Sequence, residues 1–477
     1  MFRHANYAGA NRKVVVCLVG SGAFGRSLLA SRVPLMHVAM AVDVDARRAA
    51  AALCAAGAEE DRITVCENAE DARAAFAAGS LIAAGDLADV IDLPFDILVE
   101  ATGSPEAGAR HAEMAIAAGR HVALVTKEVD SVVGPGLARR AAAAGAVVTP
   151  VDGDQPSLLI DLVTWAEVLG FEVVAAGKSS EYDFVFDPAA GTLTSNGATV
   201  SAAKFAALLD LGDRDVAELV AARAQAAAAL PQRAVPDLCE LAVVSHSVDL
   251  EPDRPDLHCP IARISEVPTF FSTLREGGLL SGERRMDVFH CLRLPGEVSF
   301  AGGVFVVIRC RDEASWDMLA GKGHILSRTG ETAMIYLPRH LLGLEAATSI
   351  LDAALLGRSS GAPEPRPRFD LVAVAERDLE QGRVLVASGH HHAIEDVTAA
   401  LLPAAALAAE RPAPFYLAAD RRLVRPVRAG EPIRLADLDL DRNSPLFIAR
   451  LEQDAWFFTS PPLAGNTNTT AFRERSA

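Results

Sequence analysis

Cysteine is sparse in these 477 residues: Cys17, Cys54, Cys66, Cys239, Cys259, Cys291 and Cys310 lie far apart and form no C-x-x-C pair. That spacing argues against a disulfide framework and a structural zinc site, and makes reduced thiols in a cytoplasm the expectation. No uncharged apolar run reaches the ~18 residues of a membrane span, and the opening "MFRHANYAGANRK" lacks the apolar core of an export signal. Basic charge is short as well. Lys and Arg number 45 against 62 Asp and Glu, a formal net charge of −17, and the basic residues stand singly or in pairs. A nucleic-acid-binding face is thereby disfavoured, and the acidic balance serves solubility.

What the chain does have is material for cores: 51% hydrophobic residues, no long low-complexity tract and a length that suits about three globular domains. "VVVCLVGSGAFGRSLL" (14–29) sets an apolar run before glycines in the G-x-G-x-x-G spacing, with a helix-compatible segment after them. Strand, turn and helix come in the order of a dinucleotide-binding fingerprint. Gly20, Ser21, Gly22, Ala23, Phe24 and Gly25 would form the turn, where positive φ is needed and a pyrophosphate meets helix N-terminal amides. A second apolar run, "HVAMAVDVD", ends in Asp43 and Asp45, 18 and 20 residues beyond Gly25. An acidic side chain there accepts hydrogen bonds from the adenosine ribose. It favours NAD by repelling a 2′-phosphate, whereas Arg47 and Arg48 could receive one, so NAD leads and NADP stays open.

The alternation continues. "DILVEATGSPEAG" (96–108) reads as a strand running into a Gly/Ser/Pro turn and "HAEMAIAAG" as a helix ended by Gly119. "HVALVTKEVD" (121–130) reads as the next strand, "LARRAAAAG" and "AVVTPVDGDQP" as another helix and strand, and "ENAEDARAAFAAG" (67–79) as a further helix. Such alternation predicts an α/β fold with a doubly wound parallel sheet and ligand groups at the carboxyl ends of its strands. Ala101, Thr102 and Gly103 fall at one such end, beside the cofactor; Lys127, Asp152 and Asp154 fall at others. The organisation expected is a dinucleotide-binding domain over 12–153 with a long apolar helix, 339–357, returning to it, and an α+β substrate and dimerisation domain over 154–338. A linker (358–369), a β-rich domain (370–450) and a polar tail (460–477) complete it.

"EATGSPEAG" followed by "GRHVALVTKEVD" resembles the nucleotide-binding half of the homoserine dehydrogenase family. That resemblance places the strand-end lysine, Lys127, in an active site. "GDQPSLLIDLVTWAEVLGFEVVAAGKSS", "LHCP", "GGVFVV" and "AGKGHIL…LPRHLLGLE" resemble more closely the branch that includes the 1-deoxy-D-xylulose 5-phosphate reductoisomerase-like enzymes, and the similarity spans about 12–450. It implies an NAD(P)-dependent oxidoreductase acting on a small-molecule substrate, with a dimer-forming middle domain and hence a homo-oligomer. "LVAVAERDLEQGRVL" and "RLVRPVRAGEPIRLADLDLD" resemble the two halves of an antifreeze-like SAF domain, in place of the regulatory ACT domain common in homoserine dehydrogenases. Asp152-Gly153-Asp154 resembles the reductoisomerase's metal-holding Asp-x-Glu triplet with the second side chain one methylene shorter.

Hydride exchange at a carbinol carbon needs a group to take or give the hydroxyl proton and a donor to stabilise charge on oxygen. Lys127 is the first candidate and Lys178, after the run "FEVVAAG", the second, since burial lowers a lysine's pKa towards a useful range. Asp154 and Asp152 could bind a divalent ion or work as an acid/base pair, or Asp154 could simply cap the following helix. Glu128, Gln155, Glu240, His258, Lys322 and His340 are further substrate-pocket candidates. His390, His391 and His392 read as a solvated loop, because consecutive histidines point in different directions; metal binding or a reach into an active site are the other readings. Three functions are therefore in view: a simple NAD(P)-dependent dehydrogenase or reductase of a small, polar, hydroxylated and sometimes phosphorylated substrate, a metal-dependent ketose-phosphate reductoisomerase, and a non-catalytic NAD(P)-binding sensor or assembly protein.

Overall fold

An unbroken apolar run such as VVVCLV offers no alternating face to water, so it has to be covered on both sides. The structure, a computed structural model that describes residues 4–389 and 392–458, uses it as the centre of a seven-stranded sheet. β1 (Val14–Val19), β2 (Met36–Val42), β3 (Ile63–Cys66), β4 (Leu81–Ala84), β5 (Ile97–Glu100), β6 (His121–Leu124) and β7 (Val148–Pro150) stand in the order 3-4-2-1-5-6-7. Every neighbouring pair is parallel. The order reverses between β1 and β5, which opens the crevice where doubly wound sheets take their ligands. Around it run α1 (Ala23–Ala30), α2 (Ala46–Ala55), α3 (Ala69–Ala77), α4 (Pro105–Ala117) and α5 (Lys127–Ala143).

Two elements differ from the sequence-based expectation. The strand expected over 121–130 stops at Leu124, and Lys127 opens α5. Glu128 and Asp130 stand in the first turn of that helix, which continues through Gly134-Pro135-Gly136 into the expected "LARRAAAAG" helix. Such a poor helix-forming interior persists because α5 is buried along most of its length, so packing outweighs propensity. The long helix expected over 339–357 is shorter: a 3₁₀ turn at Leu342–Leu344 precedes a helix confined to Ala347–Leu356. A Cβ on Gly343 would meet α1 backbone atoms at 2.5 Å, so this stretch is an irregular close contact with α1 rather than a helix.

After α6 (Gln155–Val168) the chain builds a ten-stranded mixed sheet. Its strands are β8 (Val173–Ser179), β9 (Phe184–Asp187), β10 (Thr192–Ser195), β11 (Ala198–Ser201), β12 (Glu251–Pro252), β13 (Ile261–Ala262), β14 (Arg285–Arg293), β15 (Val304–Arg309), β16 (Ile325–Leu326) and β17 (Thr332–Leu337). β8 lies between β14, its parallel neighbour, and β15, its antiparallel one. The helices of this region are α7 (Val216–Ala226), α8 (Val235–Ser247), α9 (Val267–Phe270) and α10 (Glu313–Ala320), of which α8 packs on both α5 and α6. α11 (Ala347–Leu356) then lies against β1, β5, β6 and β7.

The last part is a four-stranded antiparallel sheet of β18 (Phe369–Ala375), β19 (Ala387–Ser388), β20 (Ala393–Ile394) and β21 (Val397–Pro403), with α12 (Phe415–Ala418) and α13 (Pro445–Phe457). It is docked firmly on the first sheet's helices. Gln453 on α13 accepts from Gly136 N at 2.8 Å and donates to Val132 O at 3.0 Å. Glu106 on α4 accepts from the Arg421 guanidinium at 2.7 Å and from Leu446 N at 3.1 Å. The buried Arg450 ties the C-terminal sheet together through Asp370 and Asp454, each at 2.7 Å. Among the described residues no helix is long and apolar enough to cross a membrane. His390, His391 and the 460–477 tail lie outside the described residues.

Candidate active site

The glycine turn between β1 and α1 has the geometry a pyrophosphate needs. Gly20 has φ +97°, and a Cβ there would strike Ala101 O at 2.3 Å; one on Gly25 would strike Gly20 O at 2.1 Å. At Gly22, the N-cap of α1, the same test meets nothing within 4 Å, so the helix N-terminus is open to an anion. Ser21, Ala23 and Phe24 lie within this turn and the start of α1. These residues fit a dinucleotide. Asp43 stands at the end of β2, its Oδ2 accepting from both the amide and the hydroxyl of Ser21 and its Oδ1 3.6 Å from Arg48. Asp45 caps α2 by accepting from Arg47 N.

The turn after β5 would face the nicotinamide half. Buried Glu100 orders it by accepting from the Thr102 hydroxyl at 2.6 Å, and Gly103 N donates to Thr126 Oγ1 at 3.0 Å. Lys127 is therefore one residue beyond a direct tie to the Ala101–Thr102–Gly103 turn.

Lys127 and Lys178 are two of only five lysines in the chain, and they converge. Lys127 Nζ bonds Glu240 Oε1 and Lys178 Nζ bonds Glu240 Oε2, so one carboxylate bridges both ammoniums. Lys178 also holds Asp237 Oδ1 at 2.7 Å, and Ser180 Oγ donates to Asp237 Oδ2 at 2.8 Å. Asp237 and Glu240 are one helical turn apart on α8, while Lys178 projects from β8 and Lys127 from the start of α5. Exposure divides the two lysines. The Lys178 side chain retains 2% of its accessible surface and Lys127 22%, so of the pair Lys127 alone opens to the crevice.

The expectation that burial would lower both lysine pKa values is corrected by this arrangement. Burial does pull the Lys127 ammonium down, but Glu240, Asp154 and Glu128 outweigh it and hold the pKa well above the ordinary range. Lys178 is likewise pulled down by burial and raised on balance by Asp237 and Glu240. Burial would raise Asp237, and Lys178 overrides it to keep the carboxyl below its usual value. Glu128 goes the other way: burial pushes it to about 7 against the pull of Lys127. The resting cluster thus holds two charged ammoniums beside a carboxyl poised near neutrality.

The remaining candidates are distributed as follows. Gln155 lies in the same layer, its amide donating to Ser179 O at 3.0 Å, and Asp154 caps α6 by accepting from Gln155 N at 2.9 Å. Asp152 is engaged elsewhere, accepting from the Thr348 hydroxyl. His258 binds Asp253 at 2.9 Å; the His340 ring lies against Gly302; Lys322 is exposed in the turn after α10. Among the described residues none of these last three hydrogen-bonds or ion-pairs with Lys127, Lys178 or Glu240. The Asp152 amide donates to Ser349 on α11 and Asp154 accepts from the first amide of α6, and among the described residues no three His, Cys, Asp or Glu side chains converge as metal ligands. Sequence reasoning missed Asp237, whose only signal is its three-residue spacing from Glu240, and Glu100. His392, read as part of a solvated loop, instead lies against the site, its Nε2 3.6 Å from Glu128 Oε1. A cleft of about 270 Å³ adjoins the cluster, lined by Ser180, Asn196, Arg233 and His290 among others.

A parallel seven-stranded sheet with this glycine turn has the architecture of a dinucleotide-binding fold, here joined to a lysine–carboxylate cluster. Residues 234–346, which contain Asp237 and Glu240, match the family described as oxidoreductase DRL, catalytic domain. Similar solved structures include an NAD-binding oxidoreductase from Klebsiella pneumoniae, 20% identical over 37% of this chain and 43% of that chain, TM-score 0.23. DOX-P reductoisomerase in complex with NADPH, fosmidomycin and magnesium is 16% identical over 35% and 45%, TM-score 0.26. GenD2 from gentamicin A biosynthesis in complex with NAD is 16% identical over 73% and 88%, TM-score 0.32. The chain spans less than half the length of the first two. No curated protein matches the sequence.

Proposed function

We propose that the chain transfers a hydride between NAD(P) and a small, polar, hydroxylated substrate, with Lys127 charged and bonded to the substrate oxygen. The observation that carries this reading is the asymmetry of the lysine pair: Lys178, enclosed by Asp237 and Glu240, cannot reach a ligand, whereas Lys127 opens beside the Thr102–Gly103 turn. The nicotinamide, when bound, supplies or accepts the hydride. Lys127 stabilises negative charge on the oxygen, Glu240 sets the position of its ammonium, and Lys178 with Asp237 holds Glu240 in place. Ser180, Asn196, Arg233 and His290, set in the otherwise mainly apolar wall of the neighbouring cleft, suit the hydroxyl or phosphate end of the substrate.

The test is absorbance at the nicotinamide band with NADH or NADPH and a panel of sugar phosphates, hydroxy-aldehydes and tetronates, with and without magnesium or manganese. Metal-independent turnover is expected, with Lys127→Met lowering kcat by about 10³ while leaving cofactor affinity intact. Turnover only with metal and a ketose phosphate would move the chain to the reductoisomerase reading. Tight cofactor binding without turnover across the panel would support a sensor.

Cofactor choice turns on the β2–α2 junction. With Asp43 occupied by Ser21 and Arg48, and Arg48 62% exposed, the junction supports acceptance of a 2′-phosphate more than the carboxylate alone suggests. Arg48→Ala is expected to weaken NADPH binding about tenfold and NADH less than about twofold, the scale of one charge-assisted phosphate contact. Fluorescence titration checks this, and equal losses would return the preference to NAD.

A further inference from the structure

The C-terminal sheet sends one side chain into the site of the first. His392 immediately precedes β20, in the left-handed region at φ +48°, its amide donating to Gly389 O at 3.3 Å. Its ring stands edge-on to Tyr416 of α12, centroids 6.3 Å apart at 87°. The Nε2 atom lies 3.6 Å from Glu128 Oε1, and a Cβ built on Gly103 would also be 3.6 Å from it. One nitrogen therefore faces both the nicotinamide-side turn and the carboxyl next to Lys127. The loop does not hang on a free module: Gln453, Arg421 and the α13 packing fasten its sheet to α4 and α5.

We propose that Glu128 and His392 form a proton relay that connects the Lys127 site to solvent, so that the C-terminal sheet supplies a positioning residue for the reaction. Exposure rises along the proposed path, from 7% at Glu128 to 29% at His392. Glu128 is faced by Lys127, by Asp154 before α6, by Glu240 and Cys239 on α8, by Tyr416 and by His392. Burial, helped by Asp154 and Glu240, raises its carboxyl to about 7 against the pull of Lys127, where it can both accept and release a proton at neutral pH. In the oxidation direction the hydride leaves the carbinol carbon with its electron pair for the nicotinamide. The hydroxyl proton passes to the Glu128 carboxylate, then to His392 Nε2, and the imidazolium releases a proton from its other nitrogen to water. Reduction runs the same steps backwards, and no further oxidant or reductant is needed. The relay rests on the hydride-transfer reading, but the pairing itself can be tested without a substrate.

Full-length protein labelled with ¹³C-histidine would be titrated by NMR, with His392 assigned by its absence in His392→Gln. Glu128→Gln is expected to move the His392 midpoint by more than about half a pH unit, because it removes the coupled charge. An unmoved midpoint overturns the pairing, whatever the outcome of the substrate panel. With a substrate from that panel, His392→Gln should lower kcat at least about tenfold, leave KM within about twofold, abolish one limb of the pH–rate profile and recover with added imidazole. A wild-type pH profile in His392→Gln overturns the relay while leaving hydride transfer standing.

Discussion

Glu240→Gln is expected to be the most damaging single conservative change in the chain, lowering kcat by about 10²–10³ and stability by about 3 kcal/mol. The substitution keeps shape and removes the one charge shared by two ammoniums. Lys178 retains Asp237 at 2.7 Å, so the deficit falls on Lys127, which keeps only the fields of Asp154 and Glu128. Breaking a buried pair costs about 3–5 kcal/mol, and the lower end applies because Lys127 is partly open to water. The pH dependence identifies the cause. In the wild type both lysine pKa values are raised, so their stabilisation is complete below the unfolded lysine value of about 10.4 and is lost only as pH climbs through the still higher folded values. In the variant, burial of Lys127 is less opposed and its folded pKa falls below the unfolded one. The unfolded state then binds more protons, and stability rises with pH up to about 10. Thermal unfolding from pH 6 to 10 should therefore show the gap between the two proteins narrowing. A constant gap would mean that the introduced amide disturbs packing rather than charge.

Asp130→Asn should do the reverse and stabilise the protein above neutrality. Asp130 is buried on α5, and burial alone pushes its carboxyl from 3.8 to about 7. A raised acid binds its proton more tightly in the folded state, so stability falls as pH rises from about 4 to about 7, and the whole cost is present beyond. At ~1.4 kcal/mol per pH unit this is on the order of 4 kcal/mol as an upper figure. The amide has no charge to desolvate. Denaturation midpoints for Asp130→Asn should exceed the wild type at pH 8 and coincide with it near pH 4. An advantage that persists unchanged at pH 4 would point to packing around the small neighbouring cavity shared with His246. Glu128, also raised to about 7, leaves part of the same pH dependence in the variant.

Both predictions bear on α5, and α5 shows where sequence reading succeeds and stops. The segment "HVALVTKEVD" is legible as the approach to a ligand-bearing strand end, because apolar runs broken by polar residues mark parallel strands and their carboxyl ends. That the strand yields to a helix at Lys127 is not legible, since Gly134-Pro135-Gly136 argues locally against a helix and only packing by α4, α8 and α13 sustains it. The glycine turn can be read in full, because its requirements are local: φ at Gly20 and close backbone approach at Gly25. Asp43 can be placed at its strand end but not assigned its partner, Ser21, 22 residues earlier in the chain.

The lysine cluster makes the division sharp. Lys127 and Lys178 each carry a recognisable local context, but Glu240 stands 113 and 62 residues from them, and its bridging position exists only because α8 is packed across α5 and α6. Charge state follows geometry: isolated burial argues for lowered lysine pKa values, and the carboxylates brought in from α8 reverse the sign. His392 is the extreme case, a residue in a polar histidine-rich loop whose neighbour Glu128 belongs to the far end of another sheet's helix layer. Sequence by itself determined the parallel sheet, the dinucleotide turn and the lysines that chemistry would need, since these follow from periodicity, backbone freedom and residue type within short windows. Tertiary structure alone decided which carboxylate holds which lysine, which lysine faces the crevice and that His392 lies beside Glu128, because Coulomb interaction and desolvation depend on distances and burial that short windows of sequence do not encode.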